Sequence, residues 1–326
     1  MKTLFLVSKQ DIELAKDEVL ALAKLKESFL DQNLFIIDKK INAERLSKRL
    51  AYTRKIYRLL FYTGWENLLP LIERFPWKKV YEENFRLRIS NMCRKKLPKD
   101  YNEKALAGYI WRGVDNPKVR LKDAKTSIEL FFTKDAVYCA KLLHKIEGGF
   151  EERKAHKRPK LHPTAMHPKL ARAMINLTGI KRGVILDPFC GSGGILIETG
   201  LMGMQPVGFD IDKNMLARAK MNLDHFNIKE YELKQNDATR FRTNIDYAVT
   251  DLPYGLNSKA EELNNLYTRF LNNLHKRLRK KAAVSFPDFI DYRRIVKKSG
   301  FMIEKDYDYY LHKSLSKKII VIKKFP

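Results

Sequence analysis

Cysteine is scarce in this chain of 326 residues: Cys93, Cys139 and Cys190 stand far apart, with no CxxC pair among them. Their spacing argues against a zinc knuckle or a disulfide scaffold and for a reducing compartment. Each thiol reads as a small buried apolar residue, and no metal site is expected. Long apolar runs are missing too. The opening Leu4–Val7 run is too short for a signal peptide, and no stretch approaches a membrane span. A soluble cytoplasmic protein is the expectation, and a monomer, because no apolar helix offers an obvious pairing face. Internal repeats and low-complexity tracts are also absent.

Acid is the other shortage. Asp and Glu total 38 against 64 Lys and Arg, a formal net charge of +26. Such an excess goes beyond what solubility needs and favours a polyanionic partner, nucleic acid ahead of a membrane surface. A membrane reading would call for a basic amphipathic helix with one long apolar face, and none is evident. What is present, 44% hydrophobic and 11% aromatic residues, suffices for two or three cores.

Along the chain, Leu4–Val7 reads as a strand, 11–26 as a helix, Phe35–Ile37 as a strand and 42–61 as a basic helix. This order suits a ferredoxin-type α+β domain over 1–75. A second unit over 76–150 carries strands at Phe85–Ile89 and Ser127–Phe132 with a helix at Lys104–Arg112. Its alternation of apolar and basic residues describes either a solvated sheet face or, with Arg94–Lys96, Lys118, Arg120, Lys122 and Lys125, a surface that tracks phosphates. Residues 151–165 begin with an almost wholly polar, basic stretch that reads as a linker. From 166 to 326 strands and helices alternate as in a parallel, Rossmann-like sheet wound by helices. Two runs near the end, Phe301–Glu304 and Lys318–Ile322, lack room for a helix between them and predict an antiparallel closing pair.

The most informative local signal is Val184-Ile185-Leu186-Asp187-Pro188-Phe189-Cys190-Gly191-Ser192-Gly193. An apolar strand ends in an acid and turns through glycines into a helix. The third glycine of a GxGxxG dinucleotide fingerprint is missing, as is the Gly-Lys-Ser/Thr of a phosphate loop. An acid ahead of the turn would repel a pyrophosphate and suits a cationic amine, such as the methionine end of S-adenosyl-L-methionine. The next strand ends at Asp210, placed to accept from a ribose diol, while Asp212 suits a helix cap. Asp237 follows the third strand and either accepts from an adenine amine or closes a turn.

The fourth strand runs into Asp251-Leu252-Pro253-Tyr254-Gly255. This segment resembles the Asp/Asn-Pro-Pro-Tyr motif of methyltransferases that modify exocyclic amino nitrogens of bases. Such an amine is a poor nucleophile because its lone pair is delocalised into the ring. A carboxylate and a backbone carbonyl accepting its hydrogens favour the pyramidal, attacking geometry, and the tyrosine ring offers a stacking face for an extruded base. Leu252 departs from the motif. It keeps the carbonyl but gives up the fixed φ of proline.

The likeness extends through Arg158-Pro159, His162-Pro163-Thr164-Ala165-Met166-His167-Pro168 and Asn176-Leu177, and loosely to the first twenty residues. Together these are similar to the archaeal tRNA (guanine-10 N2)-methyltransferase family. The resemblance implies a THUMP RNA-binding domain in the middle unit and transfer of one or two methyls to the N2 amine of a tRNA guanine. It implies that Asp251, Leu252, Pro253 and Tyr254 form the target-base site, and that Thr164, Asp187, Gly191, Gly193, Asp210 and Asp237 contact the cofactor; Thr164 also suits a cap or turn. Another tRNA position, adenine N6, or a non-catalytic RNA-binding protein with a degraded site are the competing readings.

Overall fold

The computed structural model describes residues 2–25, 28–160, 165–254, 260–312 and 315–325. Two compact units emerge: Met1–Ile12, Leu25–Ser47 and Thr53–Glu147 form the first, and Glu13–Lys24, Lys48–Tyr52 and Gly148–Pro326 the second. In chain order the first half runs β1 (Thr3–Val7), α1 (Ile12–Ala23), β2 (Phe29–Asp31), β3 (Leu34–Ile37), α2 (Ala43–Ser47) and β4 (Thr53–Thr63), then α3 (Leu68–Arg74), β5 (Phe85–Asn91), α4 (Glu103–Arg112), β6 (Thr126–Phe132) and β7 (Val137–Lys145).

The strands of the first unit make one sheet in the order β2-β3-β1-β4-β7-β6-β5. It is antiparallel throughout except for the β5–β6 pair. The helix expected over 42–61 is therefore corrected: only Ala43–Ser47 is helical, 48–52 turn, and from Thr53 the chain is the long central strand β4. The misreading has a physical source. Where β4 pairs with β7 the register shifts between Ile56 and Tyr57 and again between Leu59 and Phe61. Each irregularity breaks the two-residue alternation, so apolar residues fall at spacings that imitate a helix. Strand β7 was not legible either, and it joins β4 to β6, so residues expected to form two domains share one sheet.

The second half contains α5 (Pro168–Leu177), β8 (Val184–Asp187), α6 (Gly194–Leu201), β9 (Gln205–Asp210), α7 (Lys213–His225) and β10 (Glu232–Gln235). It continues with β11 (Ile245–Asp251), α8 (Ala260–Arg277), β12 (Leu278–Pro287), α9 (Tyr292–Lys298), β13 (Phe301–His312) and β14 (Leu315–Lys324). Its sheet order is β10-β9-β8-β11-β12-β14-β13. The first five are parallel, and β14 runs antiparallel to both β12 and β13. This is the Rossmann-like sheet with the antiparallel closing pair that the pattern predicts. Fully buried Phe270, Leu271, Leu274, Val284 and Phe286 belong to a core that packs against it.

Two polar clusters bind distant segments into the second unit. Glu18 on α1, wholly buried, accepts from the Ala51 and Tyr52 amides at 2.7 and 3.0 Å and from Asn176 Nδ2 at 2.7 Å. Helix α1 is thereby a member of this unit despite its position near the start of the chain. The second cluster corrects the reading of 151–160 as a solvated joint. These residues form short 3-10 turns, and Arg153 reaches Glu198 Oε1 at 2.6 Å while Arg172 reaches Oε2 at 2.7 Å. A stretch with almost no apolar residues looks solvated in sequence, but its arginine serves a buried acid on α6. Because removing one partner of such a pair strands a buried charge, Glu198→Gln should lower stability by about 3–5 kcal/mol, measured by urea unfolding. Unchanged stability would show that the cluster contributes nothing to the unit.

Candidate active site

Between β8 and β11 the sheet order reverses: β8 continues to β9 and β11 to β12. Connections then leave in opposite directions, and a crevice opens beyond the strand carboxyl ends. A cavity of about 550 Å³ lies there. Asp187, Gly191, Asp210, Asp237 and all of Asp251–Tyr254 line it, along with apolar Met166, Ile211 and Leu266. Gly193 is not on the wall. Its φ is +85°, and a Cβ there would lie 3.2 Å from Ala219 Cβ on α7, so this glycine lets the turn approach a helix. Thr164 and Gly255 lie outside the described residues.

The acids are set by local bonding. Asp187 is 2% exposed, and its Oδ1 accepts from Thr250 Oγ1 at 2.7 Å and from the Phe189 amide at 3.2 Å. Burial pushes its pKa from 3.8 up to about 7, against those two hydrogen bonds and with the charges of Asp251 and Asp210 adding to the rise. Gly191, at φ +49°, donates its N–H to Asp210 Oδ2 at 2.8 Å, and the Asp212 amide donates to Asp210 Oδ1 at 2.9 Å. Each Asp210 oxygen keeps a lone pair for a further donor. Asp212 caps α7 through the Asn214 amide at 2.7 Å, the role its position suggested. Asp237 Oδ1 accepts from the amide and hydroxyl of Thr239, both at 2.8 Å. It closes a turn while standing on the cavity wall.

In the motif segment, Asp251 has two unlike oxygens. Oδ2 accepts from Lys317 Nζ at 2.6 Å. Oδ1 is buried and has no hydrogen-bond partner among the described residues. Lys317 is itself 3% exposed, and its Nζ lies over the Tyr254 ring, 4.8 Å from the centroid. Burial, with the Asp251 charge next, pushes the Tyr254 phenol well above its ordinary range, so the ring stays neutral. Leu252 is 1% exposed and packs in the core with Phe270 and Phe286. Its N–H donates to the Ser285 carbonyl on β12 at 3.1 Å, a bond proline could not make. The Tyr267 hydroxyl on α8 donates to the Pro253 carbonyl. The segment thus gains from packing and hydrogen bonds some of the rigidity that a second proline would have given.

Thr250, Tyr267 and Lys317 were not anticipated. Thr250 sits beside the motif, where its hydroxyl was legible as a candidate. Tyr267 and Lys317 meet the motif only through tertiary folding, and no local pattern marks them.

A family model described as an RMKL-like methyltransferase domain matches residues 155–317. A second, described as a DNA methylase, matches residues 3–221, ending short of Asp251. The tRNA (guanine(10)-N2)-dimethyltransferase of Methanothermobacter thermautotrophicus is 36% identical over 290 residues, covering 86% of this chain and 84% of the relative. That of Pyrococcus abyssi is 32% identical over 322 residues, covering 94% of each. In fold, the chain is similar to the crystal structure of TrmN from Thermus thermophilus, with a TM-score of 0.56 at 18% identity over the full length of both. With two relatives at this identity over most of both lengths, the chain belongs to the tRNA (guanine(10)-N2)-dimethyltransferase family.

Proposed function

We propose that the chain transfers methyl from S-adenosyl-L-methionine to the N2 amine of guanine 10 in tRNA, once or twice. The observation that carries this reading is Asp251 Oδ1, a buried acceptor without a partner among the described residues, on the wall of the three-acid crevice. A buried acceptor left open costs the fold roughly 1–3 kcal/mol. A donor that arrives with the substrate explains its retention.

The crevice suits the cofactor. Asp187, pushed to about 7 by burial, favours a cationic neighbour that would restore its charge. Asp210 has lone pairs for a diol, and Ile211 and Leu266 offer apolar contact. Asp237 and Gly191 complete the wall. Gly193 acts through the turn, and Thr164 remains part of the proposed set from the family resemblance. When bound, the cofactor supplies an electrophilic methyl. The protein's part is to hold the amine in line with it. Oδ1 of Asp251 accepts one N–H and the Leu252 carbonyl the other, bonds that strengthen as positive charge builds on nitrogen. The base stacks on the Tyr254 face away from Lys317, and Pro253, held by Tyr267, keeps the segment from yielding.

The first unit is proposed to carry the ferredoxin-like and THUMP regions that grip tRNA. In support, Arg94, Lys95, Lys96, Lys118, Arg120, Lys122 and Lys125 are exposed and make no ion pair among the described residues. Arg86 and Arg88 are engaged by Ser127 and Glu103 instead, so the strand's own arginines are less available to phosphates than the loops around it.

Asp251→Ala is expected to cut methyl transfer to unmodified tRNA by on the order of 10²–10³-fold, with cofactor affinity within about twofold by calorimetry. Labelled cofactor followed by nucleotide mapping reads both rate and position; full activity in this variant would remove the mechanism. Asp187 sets a pH dependence. Its pKa in the folded chain, about 7, lies above the ordinary 3.8. Its contribution to stability is therefore greatest at low pH and is lost as pH rises through about 7. Binding of a cationic ligand beside it has the opposite sign: affinity should fall as pH drops through that value, with a proton released on binding. Calorimetry in buffers of different ionisation enthalpy checks this, and pH-independent binding would place the cationic end elsewhere. Leu252→Pro, although it restores the common motif, should lose about 1–3 kcal/mol in urea unfolding. A more stable variant would show that the Leu252 amide and side chain contribute nothing.

A further inference from the structure

Lysine is almost never fully buried unless it is paired, and Lys317 is buried beside the proposed target-base site. It enters from β14, where its backbone pairs with Pro287 on one side and Tyr309 on the other. Its ammonium meets Asp251 Oδ2 at 2.6 Å and lies over the Tyr254 ring at 4.8 Å. Both contacts are to residues assigned to the base, and none of the cofactor-side acids is its partner.

We infer that Lys317 is a positioning residue for methyl transfer: it fixes the Asp251 carboxylate by one oxygen, so that Oδ1 alone is presented to the amine, and it steadies the stacking ring from behind. This rests on the proposed function and deepens it. An unpaired carboxylate could turn about its terminal torsion and offer either oxygen. With Oδ2 held, one acceptor remains in one direction, which suits an amine whose second hydrogen is taken by the Leu252 carbonyl. The closing strand pair thereby contributes to the active site and does more than cover the sheet edge.

The test uses the full chain with unmodified tRNA in single-turnover experiments. Lys317→Met is expected to slow transfer on the order of 10²-fold, with cofactor affinity within about twofold. Lys317→Arg, which keeps the charge, is expected to recover to within about tenfold of the wild type. Because Lys317→Met strands a buried carboxylate and could unfold, the same change is also combined with Asp251→Asn. Asp251→Asn alone strands the Lys317 ammonium, the double variant strands neither charge, and folding of all three is checked by urea unfolding. In the Asp251→Asn background Lys317→Met should cause no further loss, since Lys317 acts through Asp251. A Lys317→Met variant with normal transfer, or an equal loss in the Asp251→Asn background, would overturn the assignment. If the wild type methylates a different nucleic-acid amine, the function reading fails and the same ratios are measured on that substrate.

Discussion

One hydrogen bond joins the two halves of the crevice. Thr250 Oγ1 donates to Asp187 Oδ1 at 2.7 Å, linking the carboxyl end of β11 to the carboxyl end of β8 where the sheet order reverses. The backbone register there pairs Ala248 with Leu186. Beyond it the strands lead into loops with different tasks, a glycine turn after β8 and the Asp251 segment after β11. The proposed cofactor contact, Asp187, is thus tied by one side-chain bond to Thr250, the neighbour of the proposed base contact Asp251. In-line transfer is sensitive to position, a misplacement of about 1 Å costing on the order of 10²-fold in rate. Coupling the two loops through a buried threonine, 0% exposed, gives that alignment a rigid origin.

Much of the second unit was legible because its chemistry is local. Each strand-end acid, Asp187, Asp210 and Asp237, sits beside a turn whose residues announce it, and parallel strands carry continuous apolar runs. Motif and acids converge by topology alone. The first unit was less readable for two reasons. Register shifts hid the alternation of β4, and β7 opens with five consecutive buried residues before any alternation begins. Membership of α1 in the second unit was out of reach, since it depends on Glu18 meeting Ala51, Tyr52 and Asn176, residues far apart in the chain.

Leucine in place of proline looked in sequence like a loosened motif. In the fold it exchanges one source of rigidity for another. Proline restricts the backbone covalently but donates nothing, whereas Leu252 donates to Ser285 and fills the core. The backbone carbonyl proposed to accept from the amine survives either choice. The same reasoning separates the two glycines of the turn: Gly191 serves the Asp210 carboxylate through its N–H, and Gly193 serves helix packing.

The closing hairpin changes the meaning of the charge balance. Most of the excess positive charge suits a polyanion at long range and says nothing about chemistry. Lys317 is different in kind: buried, paired and placed over a ring, it spends its charge on a single carboxylate. A buried ion pair is weak evidence for stability, because desolvation offsets the attraction. Keeping such a pair while leaving the other carboxylate oxygen open is poor economy for a fold alone. The arrangement makes physical sense when an amine completes the carboxylate's hydrogen bonding, so the cost to the folded chain becomes the selectivity of the site for a donor.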